Sequence, residues 1–275
     1  MFTYIDTRDN LSYLDKELLK KPFVAVDTEF RRTTKDNMRL ALLQINDGEE
    51  IYIIDTVLID KPRQDCNFLF SNSVVKIFHS CKEDLEAIFA WTNRQMINIF
   101  DTQLAHALLN SNFSISYQDL VEEKIGIVLE KKETRSNWLR RPLSDDQLKY
   151  AALDVEYLIY LYEGQVNELS KNKKIDWYRQ DIDRLIRNTF NPHLMSADIP
   201  RTLPLSQEKL LLFDFNEIVQ TIAMRENISP TLFFSKKAQK DFLRTVLLRG
   251  LNPACEEITI WRKELIYKDL LMLLK

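Results

Sequence analysis

Runs of apolar residues in the first half of the chain predict β-strands. Residues 23–30 (FVAVDTEF) and 38–46 (MRLALLQIN) are rich in the β-branched and aromatic side chains that are typical of strands. The Asn-Asp-Gly turn at 46–48 leads from the second run into EIYIIDTVLI (50–59), so we expect a hairpin. The run at 74–80 (VVKIFHS) predicts a further strand.

Apolar residues then change to helical spacing. In EDLEAIFAW they fall on one face of a helix, and Ser80 with Glu83 matches the capping-box pattern, which places Ser80 at the N-cap and Asp84 in the first turn. INIFDTQLAHALLN predicts a short strand and a helix with Asp101 as N-cap. LSDDQLKYAALDVEYLIYLYEG predicts a long helix that begins at Ser144.

This order of elements indicates the fold class. Strands that alternate with helices after an initial hairpin predict an α/β layer fold with a mixed sheet. From about residue 164 the strand signals end, and NPHLMSADIPRTLP carries the breakers of a linker. Residues 205–275 are typical of four or five short helices, which predicts a second, all-α domain.

Composition excludes several classes of protein. The 275 residues carry a net charge of −3, which is not the strongly basic balance of a protein that coats nucleic acid. We find neither a secretory signal pattern nor an apolar stretch that approaches a membrane span. Cys66, Cys81 and Cys255 lack metal-site spacing, so we expect buried thiols and a reducing, cytoplasmic location.

Acidic residues are the candidate chemistry. Side chains alternate along a strand, so Asp27 and Glu29 point the same way at about 6.6 Å, and their repulsion favours a bound cation. Asp84 opens a helix directly after a strand, and Tyr150 and Asp154 lie one helical turn apart on a common face. Taken singly, these residues also fit a solvated strand end, a helix-start acid and a half-buried tyrosine beside a solvated aspartate.

Together these motifs resemble the proofreading-type exonuclease superfamily, in which DTE on a strand is followed by an acid that opens a helix and by Y-x-x-x-D on a late helix. The strings VAVDTEFRR, LALLQINDG, KIFHSCKEDLEAIF and TRSNWLRRPLSDDQLKYAALDVEYL resemble ribonuclease D between about residues 4 and 165. The resemblance implies a ribonuclease H-like mixed five-stranded sheet flanked by helices. It also implies an exonuclease domain over residues 1–165 and a helical connector over 166–204.

The resemblance implies a mechanism and a substrate. Asp27, Glu29, Asp84 and Asp154 hold two divalent cations, Mg²⁺ or Mn²⁺, while Tyr150 orients the attacking water. Nucleoside 5′-monophosphates leave one at a time from the single-stranded 3′ end of RNA, such as tRNA precursors and small structured RNAs. No stable protein partner is expected.

Substrate contacts are predicted from a segment that mixes cations with an aromatic ring before the tyrosine helix. Arg135, Trp138 and Arg141 could steer phosphate and stack a base, and Lys82 is another phosphate candidate. The alternative is a solvated loop that Trp138 anchors to the core. Asn137 stands where family members usually carry Asp, so a charge expected near the site is missing.

The C-terminal segment, residues 205–275, resembles the helical nucleic-acid-binding module (HRDC-like) of ribonuclease D and certain helicases. Trp261, Arg262, Glu264 and Leu265 carry most of that resemblance, and Trp261 fits the core better than a base-stacking platform. Family members often have two such modules, whereas this chain has space for one.

Three functions therefore stand at this point. The first is an exoribonuclease that trims RNA 3′ ends. The second is a DNA 3′→5′ exonuclease of the proofreading or repair type, because acceptance of a 2′-hydroxyl cannot be read from the sequence. The third is an inactive RNA-binding scaffold, which four acids and one tyrosine in the expected order oppose.

Overall fold

The structure is a computed structural model that describes residues 2–34, 37–59, 62, 65–110, 114–129, 136–191 and 199–274. The chain divides into two compact units, one comprising residues 1–103 and 116–166 and the other residues 104–115 and 167–275. Within the described ranges, no helix combines the length and hydropathy of a membrane-spanning segment.

The first unit is built on a mixed six-stranded sheet. Its strands are β1 (Phe2–Ile5), β2 (Phe23–Thr34), β3 (Asn37–Asn46), β4 (Ile51–Asp55), β5 (Val75–Phe78) and β6 (Ile99–Asp101). They lie in the order β1-β4-β3-β2-β5-β6; β3 is antiparallel to β2 and β4, and the other neighbours are parallel. The fold class is confirmed. The sheet has one strand more than expected, because the four-residue strand β1 was not predicted from the sequence.

Helices surround this sheet. They are α1 (Arg8–Leu18), α2 (Lys82–Thr92), α4 (Tyr117–Ile125), α5 (Asp145–Glu156) and α6 (Leu158–Lys171), with a 3₁₀ turn at Asn67–Phe70. Helix α3 (Thr102–Leu109) begins in this unit and belongs to the second unit from residue 104 onward. The start of α5 is confirmed: the Ser144 hydroxyl accepts from the Gln147 amide at 3.2 Å, and the Gln147 side chain accepts from the Ser144 amide at 3.0 Å.

The predicted cap of α2 is wrong. Ser80 has a φ of 63°, in the left-handed region, and cannot take the extended conformation of an N-cap residue. The amides of Ser80 and Cys81 instead donate to the carboxylate of Asp101 at 3.1 and 2.8 Å. That carboxylate also accepts from the Gln103 amide at 2.9 Å, as expected of a cap at the start of α3. Asp101 therefore fixes the beginnings of two helices.

The second unit is helical and includes most of α3. It contains α7 (Ile175–Phe190), α8 (Leu205–Glu226), α9 (Pro230–Phe234), α10 (Lys236–Arg249), α11 (Leu251–Glu256) and α12 (Ile260–Leu273). The last five match the four or five helices predicted for residues 205–275. Helix α7, which lies in the predicted connector, belongs to the same unit.

The core of this unit is aromatic. Trp261 is 1% exposed and stacks on Trp177 with ring centroids 4.7 Å apart, and on Phe233 at 5.6 Å. Arg262 lies over the Trp261 ring and forms a buried ion pair with Asp181. The preference for Trp261 as a core residue is confirmed.

The three cysteines, Cys66, Cys81 and Cys255, are buried free thiols, as expected.

Candidate active site

Three carboxylates converge at one point of the first unit. Oxygens of Asp27, Glu29 and Asp154 all lie within 4.8 Å of one another. Asp27 and Glu29 come from one face of β2 through strand alternation, and Asp154 comes from α5, which covers that face. Oxygen ligands in this number suit a hard divalent cation such as Mg²⁺ or Mn²⁺.

Asp84 stands beside this group of three. It lies in the first turn of α2, is buried, and accepts a hydrogen bond from the Thr28 hydroxyl of β2. Among the neighbouring charges that raise the pKa of Asp27, Asp84 contributes most. The four predicted acids therefore share one electrostatic site, in which Asp84 is held by a partner that the sequence did not reveal.

Two side chains hold α5 in position over β2. The Asn46 amide, at the end of β3, donates to the carbonyls of Val155 and Glu156 at 3.1 and 3.2 Å. The Tyr117 hydroxyl donates to the carbonyl of Leu153 at 3.0 Å and accepts from the amide of Tyr157 at 3.1 Å. Because these bonds take the place of helical ones, the helix predicted as continuous from Ser144 ends at Glu156.

Burial raises the pKa of every acid of the site, and repulsion from the other acids adds to this effect for Asp27 and Glu29. Burial, and then the charges of Asp154 and Asp84, raise the pKa of Glu29 to about 9. Burial raises the pKa of Asp154 to about 7 and that of Asp84 to about 7, against the opposing effects of hydrogen bonds from Tyr150 and Thr28. The pKa of Asp27 is also raised, first by burial. A cation would remove this repulsion, so the residues present fit a metal.

Tyr150 lies one turn before Asp154 and hydrogen-bonds to its carboxylate. Burial and the charges of Asp154, Glu29 and Asp27 raise the pKa of the phenol. Tyr150 therefore keeps its proton at neutral pH and remains a hydrogen-bond donor next to the acids.

Two of the predicted substrate contacts have structural roles instead. Trp138 is 5% exposed and packs with Leu42 and Ile53 beneath α5, which fits the alternative of an anchored loop and leaves no face for a base. The Arg141 guanidinium forms a bidentate ion pair with Asp55 and donates to the carbonyl of Ala41 at 3.0 Å. Its donors are occupied within the fold.

The other two predicted substrate contacts are Arg135 and Lys82. Arg135, with the segment 130–135, lies outside the described residues. Lys82 is exposed at the start of α2, and Asn137 is exposed ahead of Trp138. Lys82 stays a prediction.

Gln44 is a polar neighbour of the site that sequence reasoning missed. It lies directly opposite Asp27 in the β2–β3 register and is fully buried, and neither amide atom has a hydrogen-bond partner in the part of the chain that the structure describes. Its place in an apolar strand run, LALLQIN, was the available signal, because a buried amide is costly unless it is used.

A mixed sheet with acids at β2 and at the starts and ends of flanking helices defines a class of protein, the metal-dependent nucleases of ribonuclease H-like architecture. The sequence family described as 3′-5′ exonuclease matches residues 2–170. The chain belongs to this family.

Within it, the relatives are ribonuclease D proteins. Ribonuclease D of Shewanella sp. strain ANA-3 is 34% identical over 185 residues, 67% of this chain and 48% of that protein. Ribonuclease D of Pseudomonas paraeruginosa strain PA7 is 38% identical over 173 residues, 63% of this chain and 46% of that protein. The resemblance to ribonuclease D is confirmed, and the chain spans about half the length of these curated relatives.

A solved structure extends the likeness to the second unit. The crystal structure of Escherichia coli RNase D, described as an exoribonuclease involved in structured RNA processing, has a TM-score of 0.67 and 25% sequence identity. The match covers 99% of this chain and 74% of that chain. The helical second unit therefore has a counterpart in that protein.

The metal-free protein should lose stability as pH rises. The folded-state pKa values of Glu29 (about 9), Asp84 (about 7) and Asp154 (about 7) exceed the unfolded-state values near 4. As the pH rises, the unfolded state therefore releases its protons before the folded state does, and its free energy falls relative to that of the folded state. In EDTA, we expect the melting temperature to fall from about pH 5 to pH 9. Added Mg²⁺ should stabilise most at the alkaline end. Glu29→Gln, as control, should flatten the decline above pH 7. A metal-free melting temperature that is constant or rises with pH would contradict this electrostatic description.

Tyr117→Phe should weaken both the fold and the site. The variant loses the hydroxyl that joins Leu153 and Tyr157, at a cost of about 1–2 kcal/mol in the free energy of unfolding. Nuclease activity should fall several-fold, because the turn that carries Asp154 is less well held. Urea unfolding and initial rates measure the two effects. Tyr162→Phe is the matched control, since that hydroxyl forms no hydrogen bond with a described residue. Equal behaviour of the two variants would exclude the positioning role of Tyr117.

Proposed function

We propose that this chain is a metal-dependent 3′→5′ exoribonuclease that releases nucleoside 5′-monophosphates. The observation that carries the proposal is the convergence of Asp27, Glu29 and Asp154 within 4.8 Å, beside Asp84 and Tyr150. The family match over residues 2–170 and the ribonuclease D relatives support the reaction class.

The acids would hold divalent cations, and we propose Mg²⁺ or Mn²⁺ as a pair. Asp27, on which the charges of all three other acids act, would be a ligand of both ions, and Glu29, Asp154 and Asp84 would supply further ligands. When bound, such ions lower the pKa of a water and neutralise charge that develops on the phosphoryl group. The raised pKa values of all four acids support this assignment, because a cation stabilises their ionised forms.

Tyr150 would aim the attacking water. The Tyr150 phenol keeps its proton, so it can donate one hydrogen bond and accept another. The hydroxyl that now donates to Asp154 could donate to the water instead. Ala151 and Ala152, both buried, let α5 approach the sheet closely enough to bring Tyr150 next to the acids.

For the domain organisation, we propose an exonuclease domain over residues 1–165, a helical connector over 166–204 and an HRDC-like domain over 205–275. The five helices α8 to α12 support the last assignment. As substrates we propose the single-stranded 3′ ends of tRNA precursors and other small structured RNAs. The description of the Escherichia coli enzyme as a processor of structured RNA supports this choice.

The decisive experiment uses purified protein with 5′-labelled RNA and DNA strands of identical sequence. Each strand carries a free 3′-hydroxyl or a blocked 3′ end, and each reaction contains Mg²⁺ or EDTA. We expect free-ended RNA to shorten stepwise from its 3′ end in Mg²⁺ alone, with release of nucleoside 5′-monophosphates, and Asp27→Asn to be inactive. Preference for DNA would replace the proposal with a DNA exonuclease. Binding without degradation would replace it with a scaffold.

A further inference from the structure

Two arginines lie directly opposite each other on the β2–β3 ribbon. Arg31 of β2 pairs in register with Arg39 of β3, and both side chains are exposed. Like charges at directly opposed positions of a sheet destabilise it. Such a pair calls for a reason outside the strands themselves.

Neither guanidinium is neutralised by a residue that the structure describes. Arg31 and Arg39 form no hydrogen bond or ion pair with another residue across the described ranges, whereas Arg32 between them in sequence is paired with Glu86 and Glu83 of α2. Glu83 and Glu86 therefore pair with an arginine on the other face of the ribbon. The arginine pair, Arg31 with Arg39, keeps its donors available.

The position of this pair relates it to the acidic site. Side chains alternate along β2, so Arg31 lies on the same face as Asp27 and Glu29, about 6.6 Å beyond Glu29 along the strand. The one-residue shift between Glu29 and Phe30 adds its extra residue, Ala41, on β3 and leaves the alternation of β2 unchanged. This step is about the separation of successive phosphates in an extended single strand.

We propose that the arginine pair binds a backbone phosphodiester of the RNA strand, on the 5′ side of the linkage held at Asp27 and Glu29. This inference rests on the proposed exoribonuclease function. A guanidinium presents paired N–H donors that match phosphate oxygens. Two opposed guanidinium groups can together bind the two non-bridging oxygens of one phosphodiester better than either group alone. Contacts of this kind position a strand without reading its bases, as an exonuclease that passes along a chain requires.

The test compares the double substitution Arg31→Ala/Arg39→Ala with wild type on single-stranded RNA of ten nucleotides and of two. On the decamer we expect KM to rise about 10- to 100-fold with little change in kcat, because charged hydrogen bonds to a distant phosphate are lost equally from ground and transition states. The dinucleotide has a single phosphodiester, which occupies the acidic site, so its kcat/KM should not change.

Binding measured in EDTA provides a readout that does not need turnover. For a fluorescent decamer, the slope of log affinity against log salt should lose about 0.7 in magnitude, because the pair neutralises one phosphate of a single strand. Arg31→Lys/Arg39→Lys should keep the slope and lose part of the affinity. A decamer with one neutral methylphosphonate next to the terminal linkage should bind wild type as weakly as the normal decamer binds the double alanine variant.

Lys16→Ala, which removes an exposed charge from α1, is the control. If wild type degrades RNA and the double alanine variant matches Lys16→Ala in KM and salt slope, the inference is wrong and the proposed function stands. If wild type binds but does not degrade RNA, and the slope still falls, the proposed function is wrong and the phosphate site stands. Loss of dinucleotide activity in the variant would place the arginines in the acidic site itself, and overturn the inference.

Discussion

Asp27→Asn should reduce Mg²⁺-dependent RNA degradation on the order of 1000-fold or more, the largest effect expected of any single substitution here. Asp27 shares the group of oxygens within 4.8 Å with Glu29 and Asp154, and Asp84 is its strongest charged neighbour. An amide of the same size keeps the packing but removes the charge from the centre of the site.

The same substitution should stabilise the metal-free protein. Burial and the neighbouring acids raise the folded-state pKa of Asp27, so without a metal Asp27 must take up a proton on folding at neutral pH, a cost that asparagine does not have. We expect a higher melting temperature in EDTA and a much smaller stabilisation by added Mg²⁺ than in wild type. Asp146→Asn, at the exposed start of α5, should change neither rate nor melting temperature appreciably. Loss of activity together with loss of fold, or an active Asp27→Asn protein, would overturn the assignment.

Tyr150→Phe should slow turnover about 10- to 1000-fold and leave the fold intact, by analogy with removal of one group that acts in the transition state. The ring packs near Trp138, with centroids 6.1 Å apart, and phenylalanine preserves that contact. Only the hydrogen bond at the acids is lost. We therefore expect the fall in kcat with little change in KM or in Mg²⁺ affinity.

Tyr160→Phe is the matched control, because Tyr160 is 60% exposed on α6 and should tolerate the change. Single-turnover rates at saturating RNA separate the chemical step from binding. A Tyr150→Phe enzyme with wild-type kcat would exclude a water-orienting role, and weaker Mg²⁺ binding would instead make Tyr150 a support for the metal site.

The acids of the site could be predicted from the sequence because the spacing of residues along a strand or helix decides which side chains share a face. Strand alternation puts Asp27 and Glu29 on one face, and helical spacing puts Tyr150 and Asp154 on another. The capping box at Ser144 fixes where α5 begins, since its two hydrogen bonds involve residues three apart. Such features depend on neighbours in sequence.

Other features depend on partners that are distant in sequence. Ser80 has a good capping pattern, but its amide donates to the carboxylate of Asp101, 21 residues away. The backbone of Ser80 then has a left-handed conformation instead of the extended one of an N-cap residue. Arg141 looks like a phosphate ligand until Asp55, 86 residues away, takes its guanidinium. A cationic side chain near a predicted site is therefore weak evidence of substrate binding until its donors are known to be available.

What the sequence determined by itself was most of the strands and helices, the order of the acidic motifs and the likeness to ribonuclease D. Periodicity and capping carry that information over a few residues. Only the tertiary structure decided which side chains have structural roles, as Trp138 and Arg141 do, and which lie opposite each other without an ion-pair partner among the described residues, as Arg31 and Arg39 do. Strand register and burial decide whether a side chain finds a partner, because hydrogen bonds and ion pairs form only between groups that the fold brings close together.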